Sequence, residues 1–209
     1  MSEPLPTPWR AAATLAVVAA LSALLIGLTW QLTEAPIRRN EAAVLRAALD
    51  AVLPPGEGEV QTLTMPAAPA LGHAAAFTLW RRVGAGQVQA LALPVTRRDG
   101  YSGDIALLVG IDPDGEVTGV RVLAHRETPG LGDKIEHTRS DWITAFRGRS
   151  LGDPPPAQWG VRPEGGAFDA FTGATITPRA VVHGVRDALI YFERHRAALL
   201  APPPPVPTD

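Results

Sequence analysis

The chain has 209 residues, a formal net charge of −2 and an apolar share of 46%, enough for one domain with a core and something extra. With 19 basic against 21 acidic residues, nothing in the balance points to nucleic acid, and no acidic run reads as a solvating tail. Cysteine is absent, which excludes disulfides, Cys-ligated iron–sulfur clusters, thiol nucleophiles and lipoprotein acylation.

No charged residue occurs from Ala11 to Thr33. As a helix rising ~1.5 Å per residue, Ala11 to Leu32 spans about 33 Å, close to the ~30 Å of a bilayer's hydrocarbon core. Trp9 and Trp30 flank it at the depth that indoles favour, and Arg10 and Glu34 close it. A cleavable signal sequence has a shorter apolar region ending in small residues, whereas this one ends in Thr-Trp-Gln-Leu-Thr-Glu. The segment is therefore expected to be a transmembrane helix. Counting Arg10 against Arg38, Arg39 and Arg46 would, alone, put the large domain in the cytoplasm.

Glu34 to Leu53 has a helical apolar period and ends at Pro54-Pro55-Gly56, so it predicts a helix leaving the membrane. Residues 56–75 read as a loop with one short strand. Strands are predicted over Phe77–Val83, Val88–Val95, Gly103–Ile111 and Val117–Ala124; the last two flank the hairpin turn Asp112-Pro113-Asp114-Gly115. Ile135–Arg147 reads as a helix carrying Trp142 and Phe146. A last helix runs from Pro178 to about Leu199, with Thr177 as its N-cap. Ala201 to Asp209 reads as an extended Pro-rich tail. Strands and helices are mixed without βαβ alternation, which predicts an α+β domain. The expected organisation is a short tail (1–10), a transmembrane helix (11–32), a membrane-proximal helix and variable region (33–98), a domain core (99–199) and a disordered tail (200–209).

Two segments stand out for chemistry. His125-Arg126-Glu127-Thr128-Pro129-Gly130-Leu131-Gly132 follows a strand. It is either a plain turn or a loop whose small residues let backbone amides approach a ligand. The second, Gly165 to Thr177, gathers small and hydroxyl residues just before a helix. It is either a capped helix start or a phosphate site, since a helix N-terminus offers free amides and a positive dipole end. His73, His137, His183 and His195 are scattered without ligand spacing, and no metal site is expected. No Gly-x-Gly-x-x-Gly or Walker-type loop is present.

The run Asp169-x-x-Thr172-Gly173-Ala174-Thr175 resembles the flavinylation motif of FMN-binding domains, Asp-x-x-(Ser/Thr)-Gly-Ala-Thr, and the His125–Gly132 block resembles a second hallmark of that domain. With the apolar segment and the tract Tyr101 to Phe146, the chain is similar to the G subunits of Rnf electron transport complexes. That resemblance implies FMN joined through its phosphate to the hydroxyl of Thr175, attached by a flavin transferase of the ApbE type that recognises Asp169, Thr172, Gly173 and Ala174. Glu127, Thr128, Leu131, Gly132 and Thr177 are then expected at the cofactor. It also implies the inner membrane of a bacterium, a periplasmic domain, and partners among the other subunits of the complex. The chain would relay electrons with no catalytic residue and no independent activity of its own, within a translocase that acts on ferredoxin and NAD. Two alternatives stand beside this: the C subunit of a sodium-translocating NADH:quinone reductase, which has the same domain in a longer chain, and a non-redox membrane-tethered binding or assembly protein in which Thr172 to Thr177 merely caps a helix.

Overall fold

The computed structural model describes residues 8–202; the expected Pro-rich tail beyond 202 and the start of the N-terminal tail lie outside them. By contacts the chain divides into one unit up to Val44 and a second from Leu45 onward.

The first unit is the greater part of α1, Pro8–Val52. The segments expected as a transmembrane helix (11–32) and as a helix leaving the membrane (34–53) fall on one continuous helix of 45 residues. Nothing between them breaks the ladder. Thr29 and Thr33 donate their hydroxyls back to Leu25 O and Thr29 O at 2.7 Å, and Glu34 pairs with Arg38 at 3.1 Å one turn on. Pro36 lacks an amide but does not end the helix. The helix is long and apolar enough to cross a membrane, and Leu15, Leu24 and Ile26 are more than 60% exposed.

The second unit is built on an antiparallel meander, β1 (Glu59–Met65), β2 (Phe77–Gly84), β3 (Gln87–Arg97), β4 (Ile105–Ile111) and β5 (Val117–Ala124), with neighbours in chain order. The turn at Asp112 is an Asx type: its carboxylate accepts from the amides of Asp114 (3.0 Å) and Glu116 (2.9 Å). Side chains alternate across β3 and β4. Leu91, Leu93, Val95, Leu107 and Val109 face α2 (Ile176–Leu199) and pack on Val181, Val185 and Phe192. Ala90, Ala92 and Leu108 face the other way and are covered by Ala48 and Val52 at the end of α1 and by Leu53 just after it. The centre of the sheet, at β3 and β4, is thus buried on both faces, which is why β4 reads as a nearly continuous apolar run.

The end of α1 sits in a dent made by two paired glycines. Gly110 lies opposite Gly119 in the β4–β5 ladder, and the hydroxyl of Thr118 donates to the carbonyl of Val52. A Cβ on Gly110 would stand 2.3 Å from that carbonyl oxygen and 2.9 Å from Val52 Cβ. Gly110→Val is therefore expected to destabilise the domain by about 3 kcal/mol, because neither backbone can withdraw. Denaturant unfolding followed by tryptophan fluorescence measures this.

The predicted helix Ile135–Arg147 is two short 3-10 turns instead, Gly132–Ile135 and Asp141–Phe146. His137-Thr138-Arg139-Ser140 is a poor helical bridge. Ser140 breaks it outright, its hydroxyl donating to Lys134 O at 2.7 Å while accepting from the amide of Trp142.

Candidate functional site

The first site segment leaves β5 and folds back on itself. Thr128 O accepts from the amides of Leu131 and Gly132, both at 3.1 Å, and Asp133 accepts from the amide of Gly130 at 2.8 Å. His125 braces the entry. Its Nδ1 accepts from the Glu127 amide at 3.0 Å, so its proton is on Nε2, which donates to Glu136 at 2.7 Å. That bond, aided by the Thr138 hydroxyl, holds the Glu136 carboxyl below the usual carboxylate range.

Glu127 is the hub. It is 4% exposed. Its carboxylate accepts from the Ser102 amide at 3.0 Å and from the Thr177 hydroxyl at 2.5 Å, so it ties the 100–103 turn to the head of α2. The packing around it leaves no room. A Cβ on Gly132 would lie 2.9 Å from Glu127 Cβ and from Thr177 Oγ1, and one on Gly100 would lie 2.9 Å from Glu127 Oε1. Among the described residues, the charge complement it receives within hydrogen-bond reach comes from dipoles, those of an amide, a hydroxyl and the N-terminus of α2.

The second segment is pinned by aromatic rings. Phe168 stacks on Phe146 with ring centroids 4.7 Å apart, Phe171 meets Trp142 edge-on at 5.1 Å, and Trp142 Nε1 donates to Asp169 O at 2.8 Å. Beyond this clamp, Phe171 to Ala174 make a tight turn closed by Ala174 N to Phe171 O at 3.0 Å. Gly173 has φ of 80°, the value a type II turn requires at that position. The turn delivers Thr175 to the mouth of α2.

Thr175, not Thr177, is the N-cap of α2, which begins at Ile176. The sequence predicts the cap two residues late. The Thr177 hydroxyl is drawn to Glu127, and Pro178 is still within the first turn, where a missing amide costs nothing. Thr175 makes no side-chain cap bond, so its half-buried hydroxyl is uncommitted. Among the described residues, the amides of Thr175, Ile176 and Thr177 have no acceptor.

These groups enclose a cavity of about 300 Å³. Glu127, Thr128, Leu131 and Gly132 line one side; Gly173, Ala174, Thr175 and Thr177 line the other. Two further lining residues, Tyr101 and Ile176, are ones the sequence does not single out. Tyr101 sits in a Gly-flanked turn with no local sign that it meets the other two segments. Asp169 and Thr172 do not line the cavity: Asp169 pairs with Arg162 at 2.9 Å, both being well exposed, and Thr172 is also exposed. A larger, open cleft of about 590 Å³ lies between residues 69–74 and 96–99, but of its two arginines Arg97 is committed to Asp99 (2.7 Å) and Asp187 (2.6 Å), and the cleft holds no predicted site residue.

The residues fit an FMN phosphoryl group. Unpaired amides at a helix N-terminus suit a phosphate, a free hydroxyl beside them can be esterified, and the glycine at 173 keeps the approach open. The volume is at the low end of the ~300–1,000 Å³ usual for small-molecule sites, so a whole nucleotide would fill it and reach its rim.

Comparison with known proteins agrees with this geometry. Residues 100–190 match the family described as FMN-binding domain, and residues 1–52 match the one described as RnfG N-terminal region. The G subunit of the ion-translocating oxidoreductase complex of Pseudomonas aeruginosa is 45% identical over 197 residues, covering 92% of each chain. Its namesake from Cereibacter sphaeroides is 44% identical, covering 88% of this chain and 84% of its own. The one from Vibrio vulnificus is 42% identical, covering 91% and 92%. The chain belongs to the family of G subunits of ion-translocating oxidoreductase complexes.

Proposed function

We propose that this protein is the flavoprotein subunit of a membrane-bound, Rnf-type ion-translocating oxidoreductase complex, and that it relays electrons through FMN esterified to Thr175. The observation that carries the covalent reading is the uncommitted Thr175 hydroxyl, held at the head of α2 inside the cavity. The near full-length match to G subunits favours this reading over the C subunit of a sodium-translocating NADH:quinone reductase and over a non-redox tether.

When bound, FMN supplies one- and two-electron transfer at a single centre. The protein supplies position. The amides of Thr175 to Thr177 and the dipole of α2 hold the phosphoryl charge. Glu127 fixes the head of α2 through Thr177, and Leu131 stands at the rim. Among the described residues no base is hydrogen-bonded to the Thr175 hydroxyl to make it nucleophilic, so attachment falls to a flavin transferase of the ApbE type. Asp169 and Thr172, exposed and outside the cavity, are where that enzyme would read the segment from solvent.

α1 makes this a single-pass membrane protein. The domain faces the periplasm in this reading, where a tether prevents loss of the cofactor, and the other subunits of the complex are its partners. In production with an active transferase, the denatured protein is expected to fluoresce as a gel band under ultraviolet light; a dark band beside a fluorescent control protein overturns the covalent reading. For topology, an export-dependent reporter enzyme fused after Leu199 is expected to be active. An inactive fusion, with a cytoplasmic reporter active at the same position, reverses the orientation.

A further inference from the structure

Outside α1, the large apolar side chains that stand exposed among the described residues are Val60, Tyr101 and Leu131. Two of these three flank the cavity that holds Thr175. Tyr101 is the extreme case, at 69% exposed. A tyrosine on a surface loop is ordinary when the loop is free to move. This one is not free. The Ser102 amide is bonded to buried Glu127, Gly100 is packed against the same carboxylate and against Gly103 O, and Gly103 has φ of 130°, which favours glycine. The fold thus places three backbone constraints on a turn whose one large side chain touches solvent.

We infer that Tyr101 is a cofactor-contacting residue, its phenol ring stacking on the isoalloxazine of the flavin carried by Thr175. The inference rests on the covalent reading above. With the phosphoryl end at the head of α2, a cavity of about 300 Å³ takes the phosphate and ribityl chain and leaves the ring system at the rim. A flat, mostly apolar ring placed there needs a face to lie against. Tyr101 offers one from the 100–103 turn, and Leu131 offers an aliphatic contact from the 128–132 loop. Offset stacking of an aromatic side chain on such a ring is favourable beyond the area it buries. The hydroxyl at the outer end of the phenol stays in water, which is how an amphipathic aromatic is accommodated at an edge. The remaining tyrosine, Tyr191, lines a different cavity beside His195 and serves as the internal control.

The test uses the full-length flavinylated protein in detergent. A phenol in contact with an excited isoalloxazine quenches its fluorescence by reversible electron transfer, and a phenyl ring does not. Tyr101→Phe is expected to keep the covalent flavin and raise its fluorescence yield severalfold. Tyr101→Ala is expected also to lower the fluorescence anisotropy of the attached flavin, because the ring loses its platform. Tyr191→Phe is expected to change neither. The Tyr101 side chain is exposed, so these variants lose little burial, and the Ser102–Glu127 bond is a backbone contact that each keeps. If the flavin is on the protein and Tyr101→Ala leaves both yield and anisotropy as in the parent, the stacking role is wrong while the attachment stands. If the parent carries no covalent flavin, the attachment itself is wrong and this inference falls with it.

Discussion

Thr175→Val is expected to remove the flavin completely and to leave the fold almost untouched. The two halves of that result come from the same observation. A threonine at an N-cap ordinarily bonds an amide of the first turn, and its loss costs about 1 kcal/mol. Here the Thr175 hydroxyl makes no such bond and is half-buried, so the isosteric valine is expected to change stability by no more than about 0.5 kcal/mol. Its only loss is the oxygen that the phosphoryl group needs. Thr175→Ser keeps that oxygen and is expected to retain the flavin in part. Flavin absorbance per chain and denaturant unfolding of the flavin-free forms separate the two effects. A valine variant destabilised by more than about 1 kcal/mol would mean that the hydroxyl is a working cap after all.

Glu127→Ala is expected to have the largest effect on stability at the site, a loss of about 3 kcal/mol. The substitution strands the buried Thr177 hydroxyl, at about 1–3 kcal/mol for an unsatisfied buried group, releases the more exposed Ser102 amide, and empties the space of a buried side chain. Water entering the space recovers part of that. The effect is also local, since the 100–103 turn and the first turn of α2 are held to each other by this one side chain. Flavin incorporation is therefore expected to fall with stability, and the amide of Arg179, bonded to Thr175 O in the first turn, to exchange faster with solvent. Glu127→Gln has the right shape for the space between Gly100 and Gly132 and keeps an acceptor, so it is expected to cost about 1 kcal/mol. Equal losses for alanine and glutamine would assign the effect to the charge rather than to the two hydrogen bonds.

What is legible in the sequence follows from which signals are local. The β4–β5 hairpin is readable because Asp112 to Gly115 carries its own turn chemistry, and the structure pairs Ile111 with Val117 across it. The two site segments are readable as such because Gly and Thr cluster in them beyond what a cap needs. Other features are not. The helix expected over Ile135–Arg147 looks periodic through Trp142 and Phe146, but those rings follow an aromatic cluster with Phe168 and Phe171, not a helix axis. The cap of α2 is misplaced because Thr177 and Pro178 make a good local start, and only Glu127, 50 residues away in sequence, takes the Thr177 hydroxyl elsewhere. Tyr101 escapes notice for the same reason: its turn becomes part of the site through the Ser102–Glu127 bond, a contact no spacing rule reveals.

The most direct measurement is peptide mapping of the chain produced with an active flavin transferase. Trypsin is expected to release Ser150 to Arg179 as one peptide, since Arg162 precedes a proline. The account predicts that this peptide carries the mass of one FMN less one water, and that fragmentation assigns it to Thr175. An adduct on Thr172 or Thr177, or an unmodified peptide from protein made beside a transferase that labels its control, would contradict it.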